Sequence, residues 1–276
     1  MSPKPRYELK FPVTLAQKLA FMSDISSGLV ADPNGISATY RVSSMYFDTD
    51  QLQAYWQKMD GEALRKKYRL RFYTAAIDDQ QRITTAFMEI KHRINDLVFK
   101  ERVKLTDEGA NCILADAREL THLDRHVVAD ALATGRTTID TIRKAASVPG
   151  FFAVNVISYL REAWEGAIDR RLRLTFDSSC QAYTPATYLD VALNSGSNIL
   201  RHDEFIMEIK FDEAIPRWMR DLVSKHSIRL SRFSKYAFGV ERLQNTSRPQ
   251  FHNRCTPFET TSTHNATLPE SKTTIV

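Results

Sequence analysis

Hydrophobic and polar residues alternate through residues 63–73 (ALRKKYRLRFY), the pattern of a β-strand whose side chains project to two faces. Lys67, Arg69, Arg71 and Tyr73 share one face; Tyr68, Leu70 and Phe72 share the other. One such strand is ordinary on a protein surface. Here the pattern recurs. Residues 6–13 set Arg6, Glu8 and Lys10 against Tyr7, Leu9 and Phe11, and residues 87–93 set Glu89, Lys91 and Arg93 against Met88 and Ile90. Residues 99–105 group Lys100, Arg102 and Lys104 opposite Val103 and Leu105. Residues 169–176 place Arg171, Arg173 and Thr175 against Leu172, Leu174 and Phe176, and residues 204–212 place Glu208, Lys210 and Asp212 against Met207, Ile209 and Phe211.

The pattern predicts eight strands, starting near positions 6, 40, 66, 86, 98, 152, 168 and 204, with a further short strand near 188–192. Turn residues at Asp32–Gly35, Asp60-Gly61, Asp78–Gln81, Asn95-Asp96 and Glu165-Gly166 separate several of them. Helical spacing appears at 15–26 behind Thr14 as N-cap, at 112–133 after Thr106, at 138–146, near Pro216, and at 237–243, with 231–236 (SRFSKY) a loop or strand edge. These helices are long enough to cover the apolar strand faces. Strands closed into a barrel wrapped by helices would turn the charged faces inward. A lumen crowded with Lys and Arg is unstable unless a polyanion neutralises it. The expected fold is therefore α+β, an eight-stranded antiparallel β-barrel surrounded by helices.

Composition adds bounds. The 276-residue chain is 43% hydrophobic and carries a formal net charge of +5, so it can bury a large core and its basic surplus is mild. No run of 18 apolar residues and no N-terminal apolar segment is present, so neither membrane insertion nor secretion is expected. Cys112, Cys180 and Cys255 are few and far apart, which fits a reducing cytoplasm better than a disulfide framework. Residues 1–245 read as one domain; residues 246–276, rich in Thr, Ser, Asn and Pro, read as a disordered tail.

Other chemistries find little support. His122 and His126 lie four apart without the glutamate of a zinc-protease motif, and neither a P-loop nor a strand-borne dinucleotide motif occurs. No nucleophile-elbow context surrounds a serine. Basic residues alternate with core residues instead of forming an exposed run, which disfavours nucleic acid. Tyr55, Trp56 and Trp218 are assigned to the core or a barrel mouth rather than to base stacking.

The order RYELK, SSMYFDT, KYRLRFY, MEIKHR, KERVKL, SYLREAW, RRLRLTFD, MEIKFD and RFSKY, spanning residues 6–243, resembles the VTC polyphosphate polymerase domain of the triphosphate tunnel (CYTH-like) superfamily. The resemblance implies an eight-stranded tunnel in which Arg69, Arg71, Lys91, Arg161 and Arg173 act on the transferred phosphates. It adds Lys100, Arg102 and Tyr159 to the substrate site, with Lys210 beside Glu208. Arg232, Ser234 and Lys235 match a Lys-x-Ser-Lys phosphate clamp with Arg in the first place, and Arg6 or Lys10 takes the place of an early lysine. Glu208 matches the acidic residue that holds a divalent metal, Mn²⁺ or Mg²⁺. Glu89 and Glu8 are further candidates, with salt bridges to lumen arginines as the alternative for both.

The hydrolase and cyclase branches of that superfamily use E-x-E-x-K on the first strand. Here the stretch reads Arg6-Tyr-Glu8-Leu-Lys10, a departure that favours the polymerase branch. The implied activity is metal-dependent transfer of the γ-phosphoryl of ATP to a growing polyphosphate chain. Hydrolysis of a triphosphate and non-catalytic polyphosphate binding are the alternatives. The SPX domain and membrane helices of eukaryotic polymerase subunits are not expected, and an unidentified membrane or protein partner is left open. Phosphoryl transfer needs positioning and charge compensation above all. Guanidinium forks two residues apart on a strand match phosphate oxygens, and the walls of a closed channel strengthen each contact.

Overall fold

The computed structural model describes residues 4–25, 28–33, 38–77, 80–190 and 195–244. The tail assigned to 246–276 lies outside them. The described residues form ten strands: β1 (Arg6–Thr14), β2 (Leu29–Ala31), β3 (Thr39–Thr49), β4 (Leu64–Ile77), β5 (Gln80–Ile94), β6 (Leu97–Lys104), β7 (Phe151–Gly166), β8 (Arg173–Tyr183), β9 (Ser197–Asn198) and β10 (Glu204–Phe211). Eight of them close into a ring in the order β7-β3-β4-β5-β6-β1-β10-β8, with β8 returning to β7; every pairing is antiparallel. The short β2 and β9 add to the edges of β7 and β8 and were not legible as strands. The weakest seam is β1–β6, paired only at Arg6–Val98 and Tyr7–Leu97. Farther along β1, the Ser231 N–H donates to the Lys10 carbonyl at 2.8 Å, so the segment after residue 226 covers part of that edge.

The period-2 pattern explains which face goes where. Leu70, Phe72, Met88, Ile90 and Val103 are buried on the outside of the ring, beneath α3 (Asp107–Ala115), a 3₁₀ helix (Ala117–Arg125) and α5 (Arg136–Ala146). On the other side, Phe11, Leu174, Phe176, Met207 and Ile209 pack under Phe21 of α1 (Leu15–Ser23) and Met219 of α7 (Arg217–Lys225). Burying five such side chains contributes on the order of 10 kcal/mol, enough to force the charged faces inward.

A third cluster joins α2 (Gln53–Met59) and α8 (Lys235–Gln244) to Tyr46, Ile157, Tyr159 and Ala182. Ile157 and Tyr159 share the face of β7 that carries Arg161, so α8 approaches from within the ring. Gly239 permits that approach: a Cβ there would stand 2.4 Å from Ile157 Cδ1.

Three expected elements come out differently. The helical run 112–133 is broken into α3, the 3₁₀ helix and α4 (Ala129–Thr134). Asp116 is extended (φ −142°) and its carboxylate caps the 3₁₀ helix at Arg118 N–H, while Leu105 pairs with Val127 in an isolated bridge. The strand placed at 168–176 starts at Arg173, because Leu172 N–H turns back to the Asp169 carbonyl and β7 runs on through Gly166. Arg171 consequently leaves the strand and pairs at the surface with Asp169 and Asp212. The strand near 188–192 is instead the helix α6 (Pro185–Asp190) as far as it is described: Thr184 Oγ1 accepts from Thr187 N–H, and Pro185 suits a first turn.

Candidate functional site

The inward faces enclose a cavity of about 1990 Å³, lined by all eight ring strands and by residues 230–236. Every ligand expected from the sequence lines it: Arg6, Lys10, Arg69, Arg71, Lys91, Lys100, Arg102, Tyr159, Arg161, Arg173, Glu208, Lys210, Arg232, Ser234 and Lys235. Along β4 the lining runs from Arg65 through Lys67, Arg69 and Arg71 to Tyr73. Successive inward positions stand about 6.6 Å apart.

Two groups of charges fill the middle. In the first, Arg69 grips Glu89 with Nε at 2.9 Å and a terminal nitrogen at 2.6 Å, and Lys100 donates to the other Glu89 oxygen at 3.2 Å. Burial alone would raise the Glu89 carboxyl; Arg69, Arg71 and Lys100 together hold it far below its usual value. Lys100 is pushed down to about 7, chiefly by burial, with Arg71, Arg69 and Arg102 adding against the pull of Glu89. Arg71, next along β4, donates to Ser44 Oγ at 3.3 Å and the Tyr159 hydroxyl at 3.1 Å, and has no carboxylate at ion-pair distance among the described residues.

The second group centres on Glu208. Its oxygens lie 2.9 Å from Lys210, 3.3 Å from Lys235, 3.4 Å from Lys10 and 3.4 Å from Arg161. Against burial, these cations pull the Glu208 carboxyl well below the ordinary carboxylate value. Lys210 is lowered to about 8, mainly because it is buried. Behind them sits Asp177, fully buried, whose two oxygens accept from Arg161 Nε at 2.6 Å and one terminal nitrogen at 2.7 Å, with Lys235 at 2.5 Å. Lys10 also reaches Glu8 at 3.3 Å, and Lys91 lies against both Glu8 oxygens at 2.9 and 3.1 Å. Glu8 and Glu89 are therefore salt-bridged within the cavity, each to two cations.

The remaining expected ligands make other contacts. Arg173 pairs with Glu165 at 2.9 Å and with Asp32. Arg102 lies 4.4 Å over the Phe87 ring. Arg6 sits at the β1–β6 seam opposite Val98. Ser234 accepts from Lys67 Nζ at 3.0 Å and faces the first turn of α8. Arg232 adds to a group of like charges with Lys58, Arg65 and Arg93.

The Thr175 hydroxyl is buried, lines the cavity, has no hydrogen-bond partner among the described residues, and belongs to the residue directly opposite Glu208 on β8. An orphaned hydroxyl costs about 1–3 kcal/mol unless something else satisfies it. Together with the Glu208 carboxylate it forms a pair of hard oxygen donors of the kind Mg²⁺ and Mn²⁺ accept. Among the described residues no group of three His, Cys, Asp or Glu side chains could hold a metal alone. A cation here would take most of its ligands from phosphate oxygens, and to that extent the residues fit it.

Sequence reasoning missed four participants. Asp177 follows Thr175 at the same period-2 spacing, so extending the alternation by one step would have found it. Tyr46, whose hydroxyl accepts from Arg69 at 3.3 Å, lies on an expected strand whose facing was not worked out. Thr175 was placed on the inward face but given no role. Lys67 was likewise placed inward, and its importance rests on burial: removal from water lowers its pKa strongly, and Lys10, Lys91, Lys58 and Arg65 lower it further.

The model of the VTC domain family matches residues 5–244 of this chain. No curated protein matches it. Among solved structures, a chain of the Schizosaccharomyces pombe Mediator head module is similar at 9% identity and a TM-score of 0.36, covering 81% of this chain and 91% of that one. No helix among the described residues is long and apolar enough to cross a membrane.

Proposed function

Since the chain belongs to the VTC domain family, we propose that it binds the triphosphate of ATP in the ring cavity and transfers the γ-phosphoryl to the end of a polyphosphate chain. The observation that carries this reading is the distribution of charge inside a closed ring: cations fill the cavity, and Arg71 and Lys67 have no acidic partner among the described residues. Such cations are held for an anion with many oxygens. Arg71, Arg69 and Arg161 present guanidinium forks to it, while Lys235, Lys91 and Lys100 add point charges. In the empty protein Glu89, Glu208 and Asp177 stand in for that anion. As phosphate oxygens enter, they compete for the same cations, and the carboxylates keep the cavity from repelling itself apart between turnovers.

Glu208, with Thr175, would hold Mn²⁺ or Mg²⁺. The ion would supply positive charge to the phosphate oxygens during transfer. The protein's own residues align the donor and acceptor chains and exclude water; a dry site favours transfer to phosphate over hydrolysis.

Incubation of the purified chain with ATP and Mn²⁺, followed on gels for polyphosphate and by assay for free phosphate, tests this directly. ADP and polyphosphate in step are the expected products. Free phosphate without chain makes the protein a triphosphate hydrolase, and tight triphosphate binding without turnover makes it a binding module; either result ends the polymerase reading.

A further inference from the structure

The groups around Glu89 and Glu208 occupy the middle of the cavity, and its two ends differ in kind. Near Arg65, the wall is cationic: burial and then mutual repulsion with Arg93 and Arg232 press on Lys58 and Arg65. At the far end of β4, about 26 Å away at strand spacing, the wall carries a block of aromatic rings, with Asp32, Arg161 and Arg173 close to the Tyr40 hydroxyl. Tyr73 faces Thr85 across β4 and β5, and Arg71 faces Phe87 in the next inward pair. The Tyr40 ring on β3 lies 5.9 Å from Tyr73, tilted by 52°. Arg102 lies 4.4 Å over Phe87. Tyr40, Tyr73 and Phe87 are each half-buried and each lines the cavity.

The other aromatic rings that line the cavity are engaged differently: Tyr7 stacks on Phe211 at 5.4 Å and Phe99 on His92 at 4.5 Å. The Tyr46 and Tyr159 hydroxyls accept from Arg69 and Arg71, Tyr236 donates to Asp48 at 2.5 Å and lies under Lys67, and Phe233 stacks on Phe238 at 4.5 Å. The block of Tyr40, Tyr73 and Phe87 is placed where Arg71, which has no acidic partner among the described residues, leads inward to Arg69.

We propose that this aromatic end is a nucleobase subsite: the flat ring of a nucleoside triphosphate stacks against Tyr73 and Phe87 beside the Arg102 guanidinium, with its triphosphate directed inward to Arg71, Arg69 and Arg161. The inference rests on the reading that a nucleoside triphosphate is the donor, and it names how that donor is distinguished from a bare phosphate chain. Stacking is suited to the position. It uses the π-faces of half-buried rings, accepts any base, and asks for no acid in a wall that lacks one at Arg71. A phosphate chain has no ring to place there and gains nothing from these side chains.

The test compares two ligands by calorimetry without metal, so that no turnover intervenes. Tyr73→Leu and Phe87→Leu should each weaken ATP by about tenfold, the size of a lost base–aromatic stack, and leave tripolyphosphate within about twofold of the wild-type affinity. Tyr73→Phe should keep the wild-type affinity for ATP. Equal weakening of both ligands would overturn the proposal, since the rings would then be shaping the whole cavity; so would no change in either. An independent readout needs no variant: 2-aminopurine riboside triphosphate should lose most of its fluorescence on binding the wild-type chain, and bright bound ligand would overturn the subsite. Failure of the wild-type chain to bind tripolyphosphate at all would instead overturn the function proposed above, so the two failures are distinguishable.

Discussion

Glu208→Gln removes one negative charge and almost no volume from the centre of the cavity. In the empty protein that carboxylate is met by Lys210 at 2.9 Å, Lys235 at 3.3 Å, and Lys10 and Arg161 at 3.4 Å. A unit pair at such a separation is worth roughly 5 kcal/mol at an effective dielectric of about 20, and much of that offsets the lost hydration of the ions. Breaking a buried pair from one side typically costs about 3–5 kcal/mol. Lys10 keeps Glu8, and Lys235 and Arg161 keep Asp177, so the lower end of that range applies; Lys210 loses its one ion-pair partner among the described residues. A loss of about 3 kcal/mol should lower the Tm by roughly 6–12 °C for a chain of this size. Tripolyphosphate supplies the missing negative charge, and at about 100 times its Kd it should return about 2.7 kcal/mol, most of the loss. The assay is a thermal melt of both proteins with and without tripolyphosphate. An empty Glu208→Gln protein that melts within about a degree of wild type, or one that tripolyphosphate fails to rescue, would refute the counter-ion argument.

Arg71→Ala should weaken tripolyphosphate binding by about 1.5–3 kcal/mol in calorimetry, while the Tm of the empty protein stays level or rises, because Arg71 has no carboxylate at ion-pair distance among the described residues and Arg69 and Lys100 still pair with Glu89. Asp177→Asn should cost about 3–5 kcal/mol in chemical denaturation, because Arg161 and Lys235 lose the buried acid that holds them, and a cost under about 1 kcal/mol would show that Glu208 holds them alone. For pH, Lys100 at about 7 and Lys210 at about 8 sit below the ordinary lysine value, so the unfolded chain binds more protons from about pH 7 up to about pH 10. The empty protein should therefore gain stability as pH rises through that window. Tripolyphosphate binding should weaken over the same window and take up protons, read as a dependence of the calorimetric heat on buffer ionisation enthalpy.

The ring and its inward charges were legible because alternation is strict where one face must be buried. Leu70, Met88, Val103 and Leu174 could not exchange places with Arg69, Glu89, Arg102 and Arg173 without emptying the core. The resemblance to one family supplied roles that alternation cannot, such as the singling out of Glu208. What could not be read was set by long-range contacts. Alternation could place Asp177 on the inward face, but its role as the acid that holds Arg161, 16 residues earlier, and Lys235, 58 residues later, comes from long-range contacts. The broken run at 112–133 kept helical spacing throughout, yet the carboxylate of Asp116 captured the backbone and ended α3. The pairing of Lys67 with Ser234 likewise joins β4 to the segment before α8 across most of the chain, beyond the reach of any spacing rule.

A crystal structure of the chain with tripolyphosphate tests most directly the claim that the cavity is built for a linear phosphate chain. The account predicts phosphates inside the ring, with Arg71, Arg69, Arg161 and Lys235 each on a phosphate oxygen and Lys210 or Lys10 drawn away from Glu208. Phosphate bound only on the outer surface, with the Glu208 and Asp177 ion pairs unchanged in a cavity filled by water, would contradict it.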